Sequence, residues 1–326
     1  MTLPYNCLLT DTRFIINDVK DITLDLNGST LESNQLYSAI FVHSSNPNNI
    51  TSNITIKNGF IKGYGTAIYV IKNLTSNDYT SLINNPEAYY PTIQSTAPNN
   101  IIFENITINS PKGTGIYVGI GSSYVTINNS TITEARGPAI YLDTSTHSNT
   151  ISNCTITNSG YLNPDGSNKI GRGKREGIAI DGSYNNTIMN NTIINNARGG
   201  IHLYSNCGEK VTTDTTYVPR IFDAEYNSIT NNYIFENNES GAIEIGKRVD
   251  WNLEDWDCAK PIYQQLLSFK FYYDNSGFNH LKNNTGNGDI LIRTDNNISE
   301  NNQQTTIINS VVRLLASDPL INNIII

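Results

Sequence analysis

The 326-residue chain carries 29 acidic against 21 basic residues, a formal charge of −8, so it lacks the basic excess of a nucleic-acid binder. Only 15% of it is charged, and it favours Asn, Thr and Ile over Ala, Leu, Glu and Lys, a mix that speaks against both disorder and helices. No apolar run reaches the length of a membrane span.

Taken in order, residues 1–35 read as leading rungs: Phe14-Ile15-Ile16 and Ile22-Thr23-Leu24-Asp25-Leu26 alternate, and Asn27-Gly28 turns the chain. Residues 36–302 then repeat an apolar-x-apolar triplet. It appears at Ile40, Ile68, Ile116, Ile140, Ile178, Ile201, Ile243 and Ile290, each time followed two residues later by Val, Leu or Ile. A spacing of roughly 20–50 residues with strand periodicity marks a solenoid. Residues 303–326 supply last rungs or a cap, and the whole chain reads as one all-β domain.

A second register runs beside the first. Asn58, Asn105, Asn129, Asn153, Asn190, Asn231 and Asn283 each follow an apolar residue by two, and all but Asn283, which is followed by Gly286, precede another by three. One Asn per coil at a fixed turn suits a stacked amide ladder that satisfies turn backbone groups. Longer gaps place insertions at about residues 73–98, 159–175, 206–225 and 247–275, always beside the same strand column. Loops gathered on one side of a rigid scaffold wall a binding site. Within them, Pro261–Asp274 is the stretch with helical character.

The middle residue of each triplet points outward, since side chains alternate along a strand. That column reads Phe41, Tyr69, Tyr117, Tyr141, Ala179, His202, Glu244, Leu291, and the next outward column includes His43, Asp143, Asp181, Tyr204 and Arg293. Stacked coils lie about 4.8 Å apart. Asp181, His202, Tyr204 and Glu244 therefore share one patch, with Tyr117, Tyr141 and Asp143 beside it and small Ala179 leaving a notch. Lys174, Arg175, Glu176 and Glu209 join from two insertions, and Lys247 and Arg248 from a third. Tyrosine faces suit sugar rings, and His can exchange a proton near neutrality.

This pattern, over roughly Asp21 to Asn302, resembles the right-handed parallel β-helix repeat proteins, the superfamily of pectate lyases, polygalacturonases and mannuronan-type C5-epimerases. The resemblance implies a right-handed solenoid acting on an acidic polysaccharide. For uronic-acid polymers, Arg175, Lys247, Arg248 or Arg293 would neutralise the sugar carboxylate, and His202 or Tyr204 would move the C5 proton, with Asp181 orienting His202. The outcome would be β-elimination or C5-epimerisation. Two alternatives stand beside this: hydrolysis by the Asp181/Glu244 pair, and a non-catalytic adhesin, binding module or viral fibre. Glu176-Gly177-Ile178-Ala179-Ile180-Asp181 matches the epimerases in placement; their Asp-Pro-His signature and the polygalacturonase Gly-His-Gly are missing. No cofactor is demanded, though Asp143, Asp181 and Glu244 could take up calcium.

Cys207 and Cys258 fall in insertions after adjacent coils, and a disulfide between them would tie two groove loops together. Cys154, inside the repeat, reads as a buried small thiol. His43, His147 and His280 read as turn or solvated residues. The disulfide and the composition favour a secreted, periplasmic or cell-surface protein whose leader precedes this sequence.

Overall fold

The computed structural model describes residues 1–161, 174–206, 218–236, 241–246, 274, 276–303, 306–309 and 324–325, the last two segments as backbone alone. Among them, the apolar-x-apolar triplets form one sheet of ten parallel strands in chain order. These are Phe14–Asn17, Ile40–Ser44, Ile68–Lys72, Ile116–Val118, Ile140–Leu142, Ile178–Asp181, Ile201–Tyr204, Ile243–Ile245, Asp289–Ile292 and Thr306–Asn309. The remainder of each coil contributes to a second parallel sheet of 17 strands.

One coil shows why the chain turns as it does. After Ile178–Asp181 come strands Thr187–Met189 and Thr192–Ile194, and then the chain returns to Ile201. Asn185, Asn190 and Asn195, five residues apart, take φ of 55°, 57° and 54°. This left-handed region suits Asn, whose short amide bonds locally, and is unfavourable for most side chains by roughly 1–2 kcal/mol. Each such residue bends the ribbon, and its side chain points outward. Between the bends Ile178, Ile180, Ile188 and Ile193 point inward and are fully buried. Burial of each such side chain contributes roughly 1.5–3 kcal/mol. Stacking of coil on coil joins these residues into one core from Leu3 to Ile292.

The buried amide ladder lies one residue beyond the expected register. Asn153, Asn190, Asn231 and Asn283 occupy the exposed left-handed bends. The inward residues that follow them satisfy the turn: Asn191 N–H bonds Asn232 Oδ1 at 3.0 Å, and Asn232 N–H bonds Asn284 Oδ1 at 3.0 Å. Asn232 Nδ2 also donates to the Ile188 carbonyl at 2.9 Å. A parallel file runs through Asn149, Asn186, Asn227, Asn279 and Asn297. Cys154 occupies the same inward position, and burial pushes its thiol up to about 11. Asn232→Ala strands the Asn191 N–H and the Ile188 carbonyl, so its urea midpoint should report a loss of about 2 kcal/mol. Asn153→Ala, on the exposed bend, strands no buried group and should cost only the left-handed penalty of about 1–2 kcal/mol.

Helix appears where the composition gave no expectation of it. Residues of the first insertion form α1 (Ser76–Asn84) and α2 (Pro86–Thr96). The signals are local: Thr75 and Asp78 make a reciprocal capping box, and Asn85 caps α2 with Pro86 in its first turn. Of the stretch read as helical, Pro261–Asp274, residues 261–273 lie outside the described residues. Two of the three histidines also depart from expectation, while the His280 side chain is 38% exposed as expected. His43 is buried and stacks on Phe41, and His147 stacks on Tyr184. His280 pairs with Glu300 at 2.8 Å.

Candidate active site

Strand register decides which side chains meet. Tyr117 pairs with Tyr141, Tyr141 with Ala179, Ala179 with His202, and His202 with Glu244; one position on, Asp181 pairs with Tyr204. The rings of Phe41, Tyr69, Tyr117 and Tyr141 stack at centroid spacings of 5.7, 4.7 and 5.3 Å. This aromatic file runs directly into the charged residues.

At its end the Tyr117 hydroxyl donates to Asp143 and the Tyr141 hydroxyl to Asp181. Between the two carboxylates lies Arg220, which the sequence reading did not single out. Its Nη2 stands 2.7 Å from Asp143 Oδ1 and its Nη1 2.8 Å from Asp181 Oδ2. Asn206 adds a backbone N–H to Asp181 Oδ1 at 2.9 Å and its side-chain amide to Oδ2. Burial pushes the Asp181 carboxyl up, against the pull of Arg220 and of the Tyr141 and Asn206 donors. Burial opposes the charge of Arg220 as well, but Asp143 and Asp181 outweigh it and hold the guanidinium firmly protonated. Burial, reinforced by these same acids, also drives the Tyr117 and Tyr141 hydroxyls far above their ordinary range. Both tyrosines therefore serve as donors near neutrality.

Arg220 is held by a clasp between two insertions. The Tyr90 hydroxyl of α2 donates to the Pro219 carbonyl at 2.5 Å, and the Tyr90 ring meets Phe222 edge-on at 4.8 Å. Leu82, Ile93 and Ile120 form the small apolar cluster beneath, with Val218, Ile221 and Phe222 against it. No repeat register reaches residue 220, which explains why the triplet pattern is silent about it.

A second group adjoins the first. His202 Nε2 stands 3.7 Å from Glu244 Oε2, and Arg293 Nε donates to Glu244 Oε1 at 3.2 Å. Gly199, at φ +100°, gives His202 its room: a Cβ there would stand 2.7 Å from Nε2 and collide with the Gly241 carbonyl oxygen. The Tyr204 hydroxyl donates to Glu176 Oε1 at 2.7 Å. Glu176 precedes the strand that carries Asp181, so the Tyr204 side chain reaches back from the next coil to the start of that strand. Ala179 is fully buried, and the notch expected there is not open.

The structure thus brings Asp143, Asp181, Tyr117 and Tyr141 together around Arg220, sets His202 with Glu244 and Arg293, and places Tyr204 with Glu176 between them. It does not draw Lys174 and Arg175 into these contacts. Both are exposed, and the Arg175 guanidinium donates to the Lys174 carbonyl at 3.3 Å. Glu209, Lys247, Arg248 and the Cys207–Cys258 pair lie outside the described residues. Among the described residues no group of three or more His, Cys, Asp or Glu side chains is arranged to hold a metal ion. The oxygens of Asp143, Asp181 and Glu244 are directed to the two arginines instead.

The family described as right handed beta helix region matches residues 61–163 and 166–218. The chain is a right-handed parallel β-helix. Among solved structures, this β-helix is similar to the A-module of the Azotobacter vinelandii mannuronan C-5 epimerase, at 12% identity and a TM-score of 0.48, over 88% of this chain and 65% of that one. It therefore spans less than two thirds of that module. An alginate lyase from Paenibacillus matches at 10% identity and a TM-score of 0.45, over 93% and 91% of the two chains. The endo-xylogalacturonan hydrolase of Aspergillus tubingensis matches at 11% and 0.49, over 95% and 84%. No curated protein sequence matches the chain. In this β-helix no helix among the described residues is long and apolar enough to cross a membrane.

Proposed function

We propose that the protein is a carbohydrate-active enzyme that binds an acidic polysaccharide along the tyrosine file and performs β-elimination or C5-epimerisation on a uronic-acid residue. The observation that carries this reading is the layering of charge at the end of the file. The Arg220 side chain is 21% exposed above Asp143 at 10% and Asp181 at 0%, and Arg293 is 24% exposed above Glu244 at 9%. An incoming chain meets guanidinium groups first, with the carboxylates beneath fixing their orientation. Such a rim recognises a planar carboxylate in two-point fashion and stabilises the charge that develops as the C5 proton leaves.

In this scheme the half-buried faces of Tyr69, Tyr117 and Tyr141 seat successive sugar rings. Arg220 or Arg293 neutralises the uronate. His202, beside Glu244, takes the C5 proton, and the Tyr204–Glu176 pair is the route by which a proton returns. The substrate class favours work outside the cell, in keeping with a secreted or surface protein. Calcium uptake by the acids would have to displace the arginines.

Hydrolysis is the second reading, and one observation favours it: Asp143 and Asp181 sit on adjacent coils and share one guanidinium. Asp181 and Glu244 are two coils apart and at different strand positions, so the Asp143/Asp181 pair is the better candidate for two-carboxylate chemistry. A panel of polyuronates (alginate, polygalacturonate, glucuronan) separates the readings. Elimination gives ultraviolet-absorbing unsaturated ends, epimerisation gives exchange of solvent deuterium at C5, and hydrolysis gives saturated reducing ends. Turnover on neutral polymers with none on any polyuronate would overturn the acidic-substrate assignment.

A further inference from the structure

The coil has a second face with its own set of rings, around the corner from the tyrosine file. Where each coil enters the 17-stranded sheet it passes through one left-handed residue. Strand register aligns these as Asp21, Asn53, Asn100, Tyr124, Ser148, Asn185, Tyr226, Phe278 and Asn296, with φ between 53° and 64°. Asn and Ser are at home there, whereas a bulky ring with positive φ is an outlier. Tyr124, Tyr226 and Phe278 hold this conformation and gain little burial from it, being 55%, 54% and 47% exposed. Tyr226 and Phe278 stack face to face at 5.0 Å with an 11° interplanar angle. Tyr124 meets the His147 ring edge-on at 5.9 Å, and all three rings keep about half their surface in solvent; strain retained at rings this exposed points to a binding role.

Tyr124 also borders a groove of about 480 Å³, within the range of ligand sites. The amides of Asn53 and Asn100 line it with the hydroxyls of Thr55, Thr126 and Thr150. Asn100 Nδ2 donates to Asn53 Oδ1 at 3.3 Å, and Asn53 Nδ2 to Asp21 at 2.9 Å, so the exposed amides are already ordered. The lining carries no charged side chain. Neutral donors and acceptors beside a flat ring match a neutral, polyhydroxylated sugar segment and offer nothing to an anion.

We propose that this corner is a second glycan-binding site, separate from the charged cluster, that takes a neutral saccharide segment on Tyr124 and continues toward the Tyr226–Phe278 platform. It would hold a neutral stretch or side branch of a polymer while the cluster on the other face works elsewhere on it. The proposal stands on its own observations and does not require the reaction above.

The test is affinity electrophoresis of the full chain in gels carrying soluble glucan, xylan, galactan or mannan. At least one polymer should retard the wild type, and the retardation should persist at about 0.5 M salt, where exposed charge interactions are screened. Tyr124→Asn installs the residue that neighbouring coils use, so it should melt no lower than wild type yet bind about tenfold more weakly. Its turnover at the charged cluster should be unchanged, which separates failure of this site from failure of the catalytic reading. Absence of retardation by every polymer would overturn the proposal, as would equal binding by Tyr124→Asn or binding abolished by salt. Self-association lost in Tyr124→Asn, with no glycan bound, would instead identify a contact between copies of the chain.

Discussion

Replacing Arg220 with methionine should abolish turnover and remove about 3–5 kcal/mol of stability, the usual consequence of leaving buried carboxylates without their partner. Asp181 is fully buried and Asp143 nearly so, and Arg220 touches both at under 3 Å. Methionine keeps the length and the apolar stem while deleting the charge. The Tyr117, Tyr141 and Asn206 donors remain but cannot neutralise two acids. Urea denaturation at neutral pH measures the loss. Combining Arg220→Met with Asp143→Asn and Asp181→Asn should restore most of the stability and none of the activity. That outcome separates the structural debt from the chemistry. A single variant within about 0.5 kcal/mol of wild type would show that the ion pairs of Arg220 with Asp143 and Asp181 contribute little.

Glu236→Gln should make the protein more stable at pH 8 by about 3 kcal/mol while leaving it nearly unchanged at pH 4.5. Glu236 stands in an inward file with Ser159, Asn196 and Asn287, accepting from Asn196 N–H at 2.6 Å and Asn196 Nδ2 at 3.0 Å. Burial pushes its carboxyl from 4.5 up to about 7, against the pull of those donors. Between these values the folded chain holds a proton that the unfolded chain gives up. Stability is therefore complete below about pH 4.5 and is lost as pH rises to about 7. A shift of that size corresponds to about 3 kcal/mol. Glutamine keeps an acceptor in place with no charge to desolvate, so the difference in unfolding free energy between pH 4.5 and 8 should shrink by that amount. An unchanged difference would mean that Glu236 titrates in its ordinary range.

The triplet register was legible in the sequence because it obeys a purely local rule, alternation along a strand. Tyr117, Tyr141, Ala179, His202 and Glu244 could be placed in one column from spacing alone, and the observed pairing is the same. The amide ladder was displaced by one residue because Asn190-Asn191, Asn231-Asn232 and Asn283-Asn284 are doublets. Composition cannot tell which member faces inward; the left-handed φ of the first decides it. Arg220 was invisible for a different reason. Its position is fixed by Tyr90 and Phe222, residues far apart in sequence whose meeting depends on two insertions folding over the same coil. The helices were readable in principle from Thr75, Asp78, Asn85 and Pro86, but the prevailing strand rhythm outweighed those caps. His147 and Tyr184 stack because their coils stack, a consequence of register that attention to the triplets alone passed over.

The inward asparagines give the solenoid a direction. In each file the N–H of one coil is answered by the carbonyl oxygen of an amide in a later coil, from Asn149 through Asn186 and Asn227 to Asn279. A nascent chain laid down from its N-terminus therefore always has an incomplete growing tip. Every new coil finishes the one before it and presents an unfinished donor of its own. Erosion would run the opposite way, since removing the terminal coil uncovers its predecessor, and the last turns act as the guard for all those beneath.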